Sequence, residues 1–376
     1  MESNIKLGKL FGIEIGVNYS WFIIFFLITT GLWSLFSGEH PEWPSYWHLV
    51  AALATSGLFF LSLLAHEMSH SLLALAKGLP VHSITLFIFG GVSRIEKEAM
   101  NASTEFLVGV IGPVSSFVIG ALFYGLYAVV EKASPLGAVA YWLGFINMRL
   151  ALFNLIPGYP LDGGRVLRSI VWAVTGNMQK ATKIAARVGQ GFGYLIIITG
   201  VLIAFTPIFG GKGDLFSGLW IAFIGWFLLD AARSSEQAMV FERAIRGAHA
   251  RDIMSSTVAL VPADITLAQF FDEYLMRAGR RCCIVSEDGK LLGLMTTHEL
   301  RETPRDQWAS TTVRQAMKPF DTMTWVEPNT DLGHVLEVMH GDDVNQVPVV
   351  DEGRLEGLIK REDLLRFVKT RAEFNY

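Results

Sequence analysis

HLVAALATSGLFFLSLLAHEMSHSLLALA, residues 48–76, is a long apolar run that carries two histidines and a glutamate near its far end. A hydrocarbon core about 30 Å thick takes about 20 residues of helix, so this run is long enough to cross a membrane. Ionisable side chains are costly at that depth and mark function by default. His66 and His70 stand four residues apart, so they share one helix face and can bind one ion together. Glu67 sits beside them. Neutral imidazoles are good zinc ligands, zinc lowers the pKa of water towards neutrality, and an adjacent glutamate can accept the proton. The five-residue pattern is only moderately specific by itself. Inside an apolar run, a cation is what gives these side chains a reason to be there.

Working outward, five more apolar runs fall near 19–37, 104–130, 136–156, 189–208 and 215–233. The chain is 51% hydrophobic and only 18% charged, where about a quarter is usual. Charges are sparse before residue 234 and dense after it, which predicts a membrane-embedded part, 1–233, followed by a water-soluble part. A net charge of −4 gives no sign of a nucleic-acid partner. Lys6 and Lys9 precede the first run, and the following loop, 38–47, has Glu39 and Glu42 but no Lys or Arg. Lys77, Arg94 and Lys97 follow the second run, Lys132 alone follows the third, five basic residues from Arg165 to Arg187 follow the fourth, and Lys212 alone follows the fifth. Positively charged loops stay in the cytoplasm. That rule places both termini there, which agrees with an even number of spans, since six spans require the ends to share a side. The stretch Met1 to Asn18 and the run after it lack the small-residue cleavage site of a signal peptide. Cys282 and Cys283 are adjacent, which disfavours an ordinary disulfide and suits a reducing compartment.

Residues 80–95 are apolar but too short to cross. Their β-branched and aromatic content and the closing Gly90-Gly91 predict a hairpin or re-entrant loop, the alternative being a loop resting on the cytoplasmic face. Non-helical backbone survives at membrane depth only where protein or water satisfies it. An edge strand here could hold a peptide as an added strand, with Phe89, Gly90, Gly91 and Val92 as the candidate contacts.

A catalytic zinc commonly takes three protein ligands and keeps one position open. The metzincin spacing would put the third at Ala76, which excludes that subfamily and leaves His82, Glu96, Glu105 and Asp162. Asn154-Leu155-Ile156-Pro157-Gly158-Tyr159-Pro160-Leu161-Asp162-Gly163-Gly164-Arg165 resembles the second signature of the site-2 proteases, Asn-x-x-Pro-x-x-Pro-x-Asp-Gly, at every named position. The resemblance implies Asp162 as the third zinc ligand and Asn154 as a residue that positions substrate or stabilises the developing oxyanion. It implies one catalytic zinc, cleavage of transmembrane segments of other proteins, and regulated release of transcription regulators or their inhibitors. Gly90-Gly91 resembles the membrane hairpin of that family, and Gly112-Pro113 falls in its third core helix. Loop charges supply a separate check. His70 lies about 10 Å from Lys77 at 1.5 Å rise per residue, and Asp162 follows the inner end of the run 136–156, so both signatures fall towards the cytoplasmic face. Asn147 and Arg149 could line a water channel to it. The alternative for residues 154–165 is a helix end punctuated by Pro and Gly, a role Gly163 and Gly164 can have as well.

After a linker, 234–246, a repeat begins. Arg251-Asp252-Ile253-Met254 recurs as Arg314-Gln315-Ala316-Met317, and Gly293-Leu294-Met295 before Glu299 recurs as Gly357-Leu358-Ile359 before Asp363, an offset of about 64 residues. Such a period implies two copies of one α/β unit packed together, at 247–303 and 304–376. The repeats resemble paired cystathionine-β-synthase (CBS) domains, with Glu299 where Asp is usual and Lys360 where Ser or Thr is usual. That resemblance implies an adenine nucleotide such as ATP bound between the repeats, with Thr296, Glu299, Lys360 and Asp363 as candidates, and it allows a homodimer through these domains.

The expected architecture is therefore a polytopic α-helical membrane protein of about six transmembrane helices with a membrane-embedded β-hairpin, followed by a soluble α/β tandem CBS pair. The expected location is a prokaryotic plasma membrane, with the lipid bilayer and transmembrane substrates as partners. A CBS-regulated transporter or channel is the rival class, and it leaves the metal-ligand chemistry of His66, His70 and Asp162 unexplained. A prenyl-protein type of membrane protease would need Glu105 as its third ligand.

Overall fold

In the computed structural model of the chain, which describes residues 4–88, 90–95, 99–206, 214–256, 258–280, 282–287, 290–342, 344–352 and 354–374, six helices are long and apolar enough to cross a membrane. They are α1 (Tyr19–Glu39), α2 (Ser45–Ala76), α3 (Ala102–Val129), α4 (Pro135–Asn154), α6 (Met178–Phe205) and α7 (Leu215–Ile245); a shorter helix, α5 (Asp162–Thr175), lies between the fourth and fifth of these. The protein is a polytopic α-helical membrane protein with a C-terminal α/β pair.

Local sequence explains where these helices start and stop. Asn18, Asn101, Ser134 and Asn177 cap α1, α3, α4 and α6, each side chain accepting from a backbone N–H in the first turn. Pro135 opens α4, where its missing N–H costs nothing. Gly176, left-handed at φ 67°, closes α5. The fifth span begins at Met178 and the sixth runs to Ile245, so residues 234–245, expected as linker, continue the helix. Hydropathy cannot locate such ends, because a helix leaves the apolar layer without breaking.

The 80–95 segment is a hairpin of β3 (Val81–Phe87) and β4 (Gly90–Ile95), and Phe89 lies outside the described residues. Two further strands, β1 (Ile5–Leu10) and β2 (Ile13–Val17), come from the N-terminal stretch, for which the sequence analysis expects no element. The sheet order is β1-β2-β3-β4, with β2 and β3 parallel and Ile15 opposite Ile84. Ile13, Ile15, Val81 and Ile84 pack on Met68 and Ala74 of α2. This contact seats the sheet on the helix that carries the histidines, with β1 and β4 as its two edge strands.

Helix α3 packs against α2, α4 and α5. Its Gly109, Gly112, Ser116 and Gly120 are buried. Small residues let helix backbones approach closely where lipid supplies no hydrophobic drive between helices.

The chain divides into two compact units, residues 1–237 and 238–376. In the second, β5 (Leu260–Pro262), β6 (Cys282–Glu287), β7 (Lys290–Thr296) and β8 (Lys318–Pro319) form one sheet, and β9 (Gln346–Asp351) pairs with β10 (Arg354–Lys360) in another. Each repeat lends its first residues to the other. Ala248 and Ala250 lie in the core of the second repeat with Val326, Leu332 and Ile359, while Val313 lies in the core of the first with Val261, Cys283 and Met295. Packing therefore crosses the boundary drawn at 303/304 from the sequence.

Candidate metal centre

Three donor groups converge. Nε2 of His66 is 3.1 Å and Nε2 of His70 is 3.2 Å from Oδ2 of Asp162, and the two Nε2 atoms are 3.3 Å apart. Both imidazoles are buried, and the three ligand atoms form the one metal-capable His/Cys/Asp/Glu group found among the described residues. The other ring nitrogens face outward to acceptors. His70 Nδ1 lies 2.6 Å from the Val108 carbonyl, so it donates its proton there, and His66 Nδ1 lies 2.9 Å from Ser116 Oγ. A proton on Nδ1 turns the Nε2 lone pair towards the shared centre, the arrangement a metal-binding histidine needs; the Val108 carbonyl imposes it on His70, and the Ser116 hydroxyl can accept it from His66. Two neutral imidazoles and a carboxylate form a typical catalytic zinc set, so these residues fit the ion.

Space for it is kept by Gly112 of α3. A Cβ built there would fall 2.1 Å from His70 Nε2 and 2.7 Å from His66 Nε2, inside the position an ion would take. Asp162 reaches the histidines as the first residue of α5, and Gly163 and Gly164 let that turn press onto the loop before it. A Cβ on Gly163 would meet the Ile156 carbonyl at 2.3 Å, and one on Gly164 the Tyr159 nitrogen at 2.4 Å.

Glu67 is half-buried on α2 beside this centre. The strand β4 lies directly against it, since a Cβ on Gly91 would fall 2.4 Å from Glu67 Cγ. Ser93 of the same strand meets Ser71 of α2, Oγ to Oγ at 2.8 Å. Val92 is exposed. Asn154 is the last residue of α4 and half-buried, eight residues before Asp162 along the loop.

Among the other third-ligand candidates, His82 is exposed on β3 and Glu96 lies outside the described residues. Glu105 is buried on α3 but faces Arg165 and Arg168, with Arg165 Nε donating to Oε1 at 3.1 Å. Asn147 is fully buried and donates to Leu143 O and Ser62 Oγ, while Arg149 stacks on the Phe145 ring at 4.0 Å. Sequence reading missed Ser116 and the Val108 carbonyl and named Gly112 only with Pro113 as part of the third core helix; the one trace of their shared role is the spacing of small residues along α3.

In the second unit a cleft of about 990 Å³ opens between the repeats. Thr296, Glu299 and Lys318 line it from one side, Asn345 and Gln346 from the other. Thr296 and Glu299 thus reach one cavity, whereas Lys360 and Asp363 are not among its lining residues. Glu299 is engaged in a capping box: its Oε2 accepts the Thr296 N–H at 2.9 Å and the Thr296 hydroxyl as well. Asp363 Oδ1 lies 3.6 Å from Arg366.

Residues 54–138 and 128–196 match the sequence model of Peptidase family M50, and residues 250–305 and 310–370 match that of the CBS domain. A protein of Synechocystis sp. named as a candidate zinc metalloprotease, sll0528, is 37% identical over 99% of this chain and 97% of its own length. Rip3 of Mycobacterium tuberculosis, also named as a candidate zinc metalloprotease, is 32% identical over 98% and 93%. The solved site-2 protease of Methanocaldococcus jannaschii aligns with a TM-score of 0.43 and 27% identity, covering 62% of this chain and 94% of its own. The chain belongs to peptidase family M50, the site-2 proteases, and carries a C-terminal tandem CBS pair.

Proposed function

We propose that the protein is an intramembrane zinc endopeptidase that hydrolyses peptide bonds within or near transmembrane segments of other membrane proteins. The observation that carries this reading is the convergence of His66, His70 and Asp162 in a chain of this family, with Glu67 one residue from the first ligand and a sheet strand lying against it. His66, His70 and Asp162 hold the ion. Bound zinc supplies Lewis acidity towards water and the scissile carbonyl. Glu67 accepts the proton of the attacking water and returns it to the leaving amine, while Asn154 positions the peptide or donates to the developing oxyanion.

A transmembrane helix has its amides tied up internally, so it must be unwound before it can be cut. The outer edge of β4, at Gly90, Gly91 and Val92, offers unpaired backbone to an extended peptide and holds it beside Glu67. Phe89, a further candidate contact, lies outside the described residues. Loop charges favour a centre facing the cytoplasm, with both termini and the CBS pair on that side, in a prokaryotic plasma membrane.

The cleft at Thr296 and Glu299 is the place for an adenine nucleotide such as ATP, with Lys360 and Asp363 as the corresponding positions of the second repeat. Occupancy of that cleft modulates access to the membrane site, and the CBS pair also provides a surface for homodimerisation. The chain thereby performs regulated intramembrane proteolysis.

The test is Glu67→Ala in purified full-length protein reconstituted with single-pass substrates. Zinc stays bound and cleavage stops; sustained turnover would remove Glu67 as the base. Membranes from cells with active and Glu67→Ala protein, compared by proteomics, identify the substrate as a helix that persists uncut. Identical cleavage with and without ATP, together with no ATP binding, would remove the nucleotide reading.

A further inference from the structure

One face of α3 touches every part of the metal centre. Glu105, Val108 or Gly109, Gly112 and Ser116 succeed one another at three- and four-residue steps along one face, and all five are buried. Val108 accepts from His70 Nδ1, Ser116 meets His66 Nδ1, and Gly112 faces both Nε2 atoms. Gly109 lets α5 approach, since a Cβ there would meet Arg165 Cβ at 3.2 Å and the Asp162 carbonyl at 3.4 Å. Glu105 completes the row. Only 1% exposed, it is bridged by Arg165 (Nε to Oε1, 3.1 Å) and by Arg168 of α5. Arg165 is one turn from Asp162 on α5, and the Arg168 guanidinium lies 5.6 Å from the Tyr159 ring in the loop leading to Asp162. The helix that orients both histidines thus also anchors, through one carboxylate, the helix start and loop that present the third ligand.

We propose that Glu105 is a positioning residue of the metal centre: its buried ion cluster with Arg165 and Arg168 sets the register of α5 so that Asp162 meets His66 and His70. The inference rests on the zinc reading above. A buried carboxylate bridging two guanidinium groups fixes distance and direction together, because the arginine fork is planar and rigid. A purely apolar α3–α5 contact would hold the helices together but would leave their sliding and rotation less determined.

The experiment uses full-length protein in detergent, titrated with Zn²⁺ against a competing chelator and, separately, loaded with Co²⁺ for its visible spectrum. Glu105→Gln lowers zinc affinity by about tenfold, the lower end of the effect of losing a group that orients a ligand directly, and shifts the Co²⁺ bands. Arg165→Lys, which keeps the charge and loses the fork, moves both readouts in the same direction by less, and it decides the matter if Glu105→Gln does not accumulate. Val166→Ala, which loosens apolar packing between the same helices at Gly109, lowers thermal stability and leaves affinity and spectrum at wild-type values. Wild-type affinity and spectrum in Glu105→Gln, or in Arg165→Lys where that variant decides, would overturn the proposal. So would loss of zinc in Val166→Ala matching that of Glu105→Gln at equal thermal stability. Failure of the wild type itself to bind zinc would instead overturn the metal reading, so the two are told apart.

Discussion

Gly112 stands so close to His70 that a single added carbon would lie 2.1 Å from the imidazole Nε2. Gly112→Ala should therefore abolish metal binding while leaving the helices formed. Alanine is the better helix former by about 1 kcal/mol, so α3 gains locally even as the metal position is filled. Elemental analysis of the purified variant, with circular dichroism alongside, checks this. Full zinc occupancy would show that the site lies elsewhere.

Ser116 carries the outward hydrogen bond of His66. Ser116→Ala should weaken zinc binding by about tenfold, because the imidazole loses the partner that orients its ring. Competition with a chelator measures the change. An unchanged dissociation constant would mean that His66 is oriented by packing alone.

Gly91 brings β4 against Glu67. Gly91→Ala should cut turnover at least about tenfold with zinc content unchanged, because the new methyl meets the glutamate at Cγ rather than at its mobile end. The separation is the point of the measurement: turnover falls in this variant, whereas metal is lost in Gly112→Ala.

Glu299 closes the capping box of the helix Thr297–Glu302. Glu299→Ala should cost about 1 kcal/mol locally, about a fivefold loss of protection at the Thr296 amide. Hydrogen exchange of the full-length chain, followed by peptides covering 296–302, reads it. If an adenine nucleotide engages Glu299, protection of those amides also changes on adding ATP to the wild type.

Burial pushes the Cys282 thiol up to about 12 and the Cys283 thiol up to about 11. The folded pair should resist alkylation at pH 8 and react only on unfolding. The sign of the linkage follows from the same shift. Above about pH 9 the unfolded chain releases these protons and the folded chain keeps them, so the stability of the CBS unit falls as pH rises from there. Alkylation at the native-state rate of an exposed thiol, or stability rising with pH above 9, would contradict the burial of these groups.

His66, Glu67 and His70 were legible because an i, i+4 spacing needs only one helix, and Asp162 was legible only through a signature, since 92 residues separate it from His70. The β3–β4 hairpin announced itself by a short β-branched run closing on two glycines. The N-terminal strands did not: β1 is almost wholly exposed, and β2 becomes a strand by pairing in parallel with β3, a partner far along the chain. Glu105 shows the same limit. As a residue type it could have been a ligand, and only the position of α5 turns it towards arginines instead.

By itself, the amino-acid sequence determined the quantities that depend on composition and on short spacing: how many apolar runs can span a membrane, which helix face carries the imidazoles, and where the repeat of the C-terminal half begins. Tertiary structure decided what depends on contact between distant segments. It brought Asp162 to His66 and His70 across 92 residues, placed Gly112 and Gly91 where an added side chain would meet the two imidazoles and Glu67, and exchanged the leading segments of the two repeats between their cores. The reason is physical. Periodicity and capping are encoded within one turn of chain, whereas a ligand's partner is set by the close packing of helices that the sequence lists far apart.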